Sequence, residues 1–217
     1  GEGGIRPASL EFMQGLRALC DDNDLMLVLD EVQCGVARTG KFYAYEHYGI
    51  EPDIVTLGKG MGNGIPVDAA VGRADVFSNL GFGEGSDTWS AHPIGCAAVL
   101  ATLDEFESKN VLEQARPLAK LIEEKLLELT ELPAINTIRG EGTVWGIECA
   151  ALGDRSAEEV ADEIVRLAYC GDGDGNAIHL LGPLAGKVIR IAPPLVMPLD
   201  EASAYFDALH GIIQRTA

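Results

Sequence analysis

Basic residues are scarce. Sixteen Lys and Arg stand against 34 Asp and Glu, so the 217-residue chain carries a net charge of −18. That field repels phosphate backbones and anionic headgroups; it argues against nucleic acid or an anionic membrane as a general partner, favours solubility and leaves a salt-rich habitat open. No apolar run approaches the roughly 20 residues of a membrane span. The start, GEGGIRPAS, has neither the basic region nor the apolar core of a secretory leader, so none is expected. The cysteines (Cys20, Cys34, Cys96, Cys149, Cys170) are scattered, odd in number and without a CxxC pair. Reduced thiols in a cytoplasmic protein are the expectation.

Several chemistries lack their motif. The four histidines, His47, His92, His179 and His210, show no metal-ligand spacing, and no zinc site is expected. There is no G-x-S-x-G elbow, hence no indication of a serine hydrolase. The apolar run 25–29 followed by Asp30 and Glu31 resembles the Mg²⁺-holding strand of P-loop ATPases. The partner motif fails: Asp53 stands six residues before Lys59 where Gly is needed, and Gly60 follows where Ser or Thr is needed. Gly60-Met61-Gly62-Asn63-Gly64 is not G-x-G-x-x-G. Asp172-Gly173-Asp174-Gly175-Asn176 starts like an EF-hand but puts Ala177 at the turn glycine and Pro183 at the bidentate glutamate, so it reads as a solvated turn.

What is present is an alternation of helical and strand patterns. Ser9 caps a helix with Phe12, Met13, Leu16, Leu19 and Cys20 at helical spacing. Apolar runs at 25–29, 54–57 and 69–71 read as strands, the first two buried on both faces. A short helix is expected over 42–48 and one helical turn over 73–77. A long helix starts near Pro93 and runs through Ala97, Leu100, Leu103 and Phe106; a second carries Val111 to Leu129 and is kinked at Pro117. Beyond it the pattern predicts strands at 135–138 and 144–147, a helix opened by the Ser156/Glu159 capping box, strands at 177–181 and 188–192, and a helix capped by Asp200. This latter half reads as a compact α+β unit, with a boundary near residue 108.

The stretch 25–59 carries the chemistry. It ends two expected buried strands with a carboxylate, Asp30, and an amine, Lys59. Strand ends of open α/β sheets face the ligand crevice. A desolvated lysine has a lowered pKa and is nucleophilic as the neutral amine, as a Schiff base requires. An aspartate at a neighbouring strand end is what a pyridine nitrogen needs to stay protonated. A plain Asp30–Lys59 salt bridge accounts for the same two residues.

These residues carry a resemblance. LVLDEVQCGVARTGKFYAYEHYGIEPDIVTLGKGMGNGIPV resembles the signature of class III aminotransferases, the pyridoxal-phosphate-dependent family that includes the acetylornithine, ornithine and 4-aminobutyrate aminotransferases. GEGG, SDTWSAHP and VIRIAPPL follow the family's order, so the resemblance spans essentially the whole chain. It implies an α/β chain of fold type I: residues 1–108 as the C-terminal half of the cofactor-binding large domain with its mixed sheet, and 109–217 as the small α+β domain. It implies that Lys59 forms the Schiff base with pyridoxal 5'-phosphate and later shuttles the proton, that Asp30 keeps the pyridine nitrogen protonated, that Val32 packs on the ring and that Gln33 hydrogen-bonds near its phenolic oxygen. Thr88 would reach the phosphate of the neighbouring subunit's cofactor, making the active site shared across a homodimer. Arg190 would bind the substrate carboxylate as a bidentate fork. Glu2 would pair with Arg190 when an ω-amine is bound and swing away for 2-oxoglutarate or glutamate.

The family's N-terminal half, with its phosphate loop, has no counterpart here, so the chain is expected to be a C-terminal portion. The implied reaction moves an amino group from an amino acid or ω-amine to 2-oxoglutarate, with acetylornithine or 4-aminobutyrate as the donor. A related aminomutase or racemase would use the same Lys and Asp, and a remnant that only folds or dimerises would keep the same pattern.

Overall fold

A computed structural model describes residues 1–171 and 177–216. The 172–176 segment, read above as a solvated turn, lies outside the described residues. The chain divides into two compact units, Ala8–Leu112 and Gly1–Pro7 with Glu113–Ala217.

The first unit is built on a three-stranded sheet of β1 (Val28–Asp30), β2 (Ile54–Leu57) and β3 (Ala69–Gly72), in that order. β1 and β2 are parallel, with Asp30 opposite Thr56; β2 and β3 are antiparallel. Helix α1 (Leu10–Asp22) precedes β1, and the Phe12 amide donates to the Ser9 hydroxyl at 3.2 Å, which satisfies one orphan N–H of the first turn. Met13 and Cys20 of α1 bury against Leu27 and Ile50. A 3₁₀ turn spans Ala44–Tyr48, α2 is one turn (Ala74–Phe77), and α3 runs Pro93–Ser108 with Pro93 in its first turn.

The expectation of a first strand buried on both faces is corrected. β1 is three residues long, and Leu25, Met26 and Val28 are each more than half exposed while Leu27 is buried. β1 lies at the sheet's edge with β2 as its partner, and the unit lays no layer over that side. The α3 residues Ile94 and Leu100 are exposed as well.

Asp53 ties this unit together. Its Oδ2 accepts from the Leu27 amide at 2.7 Å and from Arg17 at 2.9 Å, and its Oδ1 accepts from Arg73 at 2.8 Å. The Leu27 amide and the Arg17 and Arg73 guanidiniums hold the carboxyl down at about 2, against the ordinary 3.8.

The second unit is a β-sheet of β4 (Ile135–Glu141), β5 (Val144–Cys149) and β6 (Val188–Ile191), antiparallel throughout. Helices α4 (Val111–Glu128), α5 (Ala157–Cys170) and α6 (Leu199–Thr216) complete it. Ile147, Ile164, Ile189 and Ile213 join Leu118, Ile122 and Leu126 in one core of fully buried side chains. Each such burial is worth about 1.5–3 kcal/mol. α5 opens with the expected capping box: the Glu159 amide donates to Ser156 Oγ, and the Ser156 amide donates to Glu159 Oε2.

β5 is buried along its whole length because both its faces are covered. Trp145, Ile147 and Cys149 belong to the helix-covered core. Val144 packs instead with Ile5, Leu184 and Val188. Residues Gly1–Pro7 therefore belong to this unit.

Two local expectations are corrected. Residues 177–181 form no strand: the Ile178 amide donates to Ala168 O at the end of α5, and the Leu180 amide donates to Ile178 O, so both amides are spent locally. Asp200 is not the cap of α6; it lies inside the first turn, and the Ala202 amide donates to Pro198 O. No described helix is long and apolar enough to cross a membrane.

Candidate active site

Lys59 opens the 3₁₀ turn Lys59–Met61 directly after β2, and Asp30 ends β1. Asp30 is opposite Thr56, three residues before Lys59, so both lie at the same end of the parallel pair. Asp30 Oδ1 accepts from the Val32 amide at 2.9 Å and lies 3.4 Å from Thr56 Oγ1. No ion pair joins Asp30 and Lys59 among the described residues, so the plain salt bridge does not account for them. Lys59 is exposed within this unit, on a glycine-bounded turn beyond the buried end of β2 at Leu57 and Gly58.

Lys59 lines a cleft of about 1380 Å³, together with Val32, Tyr43, Gly58, Trp89 and His92. Gly58 lies beside Val32, and a Cβ there would make ordinary contact with it at 3.4 Å. Three non-glycine residues on this cleft, Val36, Lys59 and Ala91, are left-handed, with φ of 53°, 44° and 54°. A β-branched residue such as Val36 rarely adopts that conformation, and residues so held cost about 1–3 kcal/mol each and cluster at functional sites.

Glu31 has a different role from Asp30. It is buried and accepts from the Ala44 and Tyr45 amides at 2.7 and 2.8 Å, holding the 3₁₀ turn over Ala44–Tyr48. Burial raises its pKa. Gln33 is half-buried. Thr88 sits on an exposed loop, where Asp87 Oδ1 accepts from the Trp89 amide. Burial pushes the Cys34 and Cys149 thiols up to about 11 and about 12.

In the second unit Arg190 and Glu2 come together, with Nη1 3.7 Å from Oε1. Arg190 is mostly buried and lines a cavity of about 530 Å³ with Met197, Tyr205 and Phe206. Sequence reasoning did not single out Arg139, Gly146 or Glu148, which lie beside this pair. Glu148 is buried, and its carboxylate meets Arg139 at 2.7 Å, Lys187 at 3.1 Å and Arg6 at 3.9 Å. The one signal for this cluster was a charged residue, Glu148, inside an otherwise apolar strand.

Comparison with known proteins gives a consistent answer. A family profile described as "Aminotransferase class-III" matches residues 1–213. The acetylornithine aminotransferase of Bacillus subtilis is 37% identical over 201 residues, 93% of this chain and 49% of that protein. That of Agrobacterium fabrum is 40% identical over 205 residues, 93% and 48% respectively. The chain spans about half the length of the curated relatives it matches. The crystal structure of the acetylornithine aminotransferase from Elizabethkingia anophelis superposes with a TM-score of 0.87 at 28% identity, covering 99% of this chain and 52% of that one.

Proposed function

This chain belongs to the class III aminotransferases, and on that premise we propose that it is the C-terminal portion of a transaminase moving an amino group from an amino acid or ω-amine to 2-oxoglutarate. The donor we favour is acetylornithine, the substrate in the printed name of the curated relatives; 4-aminobutyrate is the next choice. Residues 1–108 are proposed as the later part of the cofactor-binding domain and 109–217 as the small domain.

The residues present fit pyridoxal 5'-phosphate. The observation that carries the reading is a primary amine on an apolar cleft, just beyond a strand whose parallel neighbour ends in an aspartate. When bound, the cofactor supplies an electron sink for the carbon that loses a proton. Lys59 Nζ would hold the cofactor covalently and, when released, would take and return the proton at the amine-bearing carbon. The Asp30 carboxylate would keep a proton on the pyridine nitrogen. Val32 would pack on the ring and Gln33 would bond near its phenolic oxygen. Thr88, exposed on its loop, would reach the phosphate of a neighbouring subunit in a homodimer. Arg190 would take the substrate carboxylate, and Glu2 would neutralise Arg190 when an ω-amine occupies the site. The exposed apolar residues of α3 and β1 support a further protein layer over this unit in the whole enzyme.

The test uses the enzyme that contains this chain. Added pyridoxal phosphate should give the absorbance of a lysine-bound cofactor, and Lys59→Ala should lose it. Turnover should stop when the 2-oxo acid is withheld. An absorbance unchanged in Lys59→Ala would reject the lysine assignment. Turnover with no 2-oxo acid present would reject transamination and leave an aminomutase or racemase.

A further inference from the structure

Arg139, Gly146 and Arg190 form a row across the second unit's sheet. Arg139 is opposite Gly146 in the β4–β5 ladder, and Gly146 is opposite Arg190 in the β5–β6 ladder. Directly opposed residues project to one face, so two arginines flank a gap left by a glycine. The backbone of residues 4–5 fills that gap: a Cβ on Gly146 would lie 3.1 Å from Ile5 Cβ, 3.2 Å from Gly4 O and 2.9 Å from Val188.

The turn lying there is closed from within and also held from outside. Its amides at Gly4 and Ile5 both donate to Gly1 O, and Gly4 and Ile5 are left-handed, with φ of 99° and 50°. That conformation is unfavourable for a β-branched residue such as Ile5. What holds the turn from outside is the burial of Ile5 and Arg139, whose single Nε–H is shared between Gly4 O at 3.0 Å and Ile5 O at 2.8 Å. The Arg139 guanidinium is aimed in turn by Glu148, which accepts from its Nη1 at 2.7 Å. Glu2 sits on this turn and faces Arg190.

We infer that Arg139 is a positioning residue for the substrate switch: by clamping the turn through its two carbonyls it sets where Glu2 stands against Arg190, and so sets the preference of the site between an ω-amine and a dicarboxylate. Arg139 fixes the backbone that carries Glu2, and Glu148 fixes Arg139. The inference rests on the reading of Glu2 and Arg190 given above.

The experiment is a double-mutant cycle in the cofactor-loaded enzyme. The quantity read is the kcat/KM for an ω-amine donor, acetylornithine, divided by that for glutamate. Arg139→Gln should lower this ratio about tenfold, the scale of one coupled contact. Arg139→Lys, which keeps the charge but loses the guanidinium, should restore it only in part. In the Glu2→Ala background the Arg139→Gln substitution should move the ratio no further. Amide exchange at Gly4 and Ile5 should speed up in Arg139→Gln, a readout that needs no turnover. If Glu2→Ala shifts the ratio and Arg139→Gln does not, or lowers both half-reactions equally, the inference is overturned and the Glu2–Arg190 reading stands. If Glu2→Ala leaves the ratio unchanged, that reading fails and the inference falls with it. A shift by Arg139→Gln that persists in full without Glu2 also overturns it.

Discussion

Glu148→Gln removes one charge from a buried cluster and keeps the side chain's shape. The carboxylate is 6% exposed, with Arg139 Nη1 at 2.7 Å and Lys187 Nζ at 3.1 Å. Arg139, and next to it Lys187, hold the Glu148 carboxyl at about 2, against the ordinary 4.5. At about 1.4 kcal/mol per pKa unit the difference corresponds to about 3 kcal/mol of folding stability. Lys187 and Arg6 keep 37% and 67% of their side chains in water. Solvent screening at those two partners trims the contribution to about 2 kcal/mol. A carboxyl whose pKa is depressed in the folded state contributes fully above its unfolded value, and the contribution disappears as the pH falls from about 4.5 towards 2. The variant should therefore be less stable by about 2 kcal/mol at pH 7, roughly 10 °C in Tm for a unit of this size, and the two proteins should converge in acid. Trp145 lies buried on the same strand and reports this unit's unfolding by fluorescence in urea. A difference under about 0.5 kcal/mol at pH 7, the size of an ordinary surface substitution, would refute the reasoning. So would a difference that stays constant from pH 5 to pH 2.

Asp53→Asn should cost the first unit about 2 kcal/mol at pH 7, because it weakens the contacts to Arg17, Arg73 and the Leu27 amide together. With the Asp53 carboxyl held at about 2, the wild-type advantage should fade between about pH 3.8 and 2, as urea titrations at several pH values would reveal. Gly146→Ala places a methyl 2.9 Å from Val188 and 3.2 Å from Gly4 O, and should destabilise the second unit by about 1–3 kcal/mol; an unchanged urea midpoint would contradict the packing described. Ser156→Ala removes one half of the α5 capping box and should cost about 1 kcal/mol, while Ser156→Thr should cost much less, both measurable by thermal melting.

Most of the elements were legible because the signals that specify them are local. The Ser9 and Ser156 caps, the Pro93 helix start and the strands around 54–57 and 144–147 each depend on residues a few positions apart. The strand expected at 177–181 was misread for the opposite reason: its apolar pattern is strand-like, but the amides of Ile178 and Leu180 are taken by the end of α5 and by a tight turn. Burial of the first strand was misread because a continuous apolar run does not say how many layers surround it, and Leu25, Met26 and Val28 are uncovered within their unit.

By itself the sequence determined the helix and strand periods, the caps, the placing of Asp30 and Lys59 at the ends of two strands, and the family that their motif resembles. These depend on hydrogen bonds and side-chain alternation within one turn or one strand, which are written in neighbouring residues. Only the tertiary structure decided that residues 1–7 pack with the later unit and that Arg139, Gly146 and Arg190 share one row. The reason is register: which residue of β4 faces which of β5 and β6 is set by the packing of whole strands, and a slip of one position would turn both arginines to the other face.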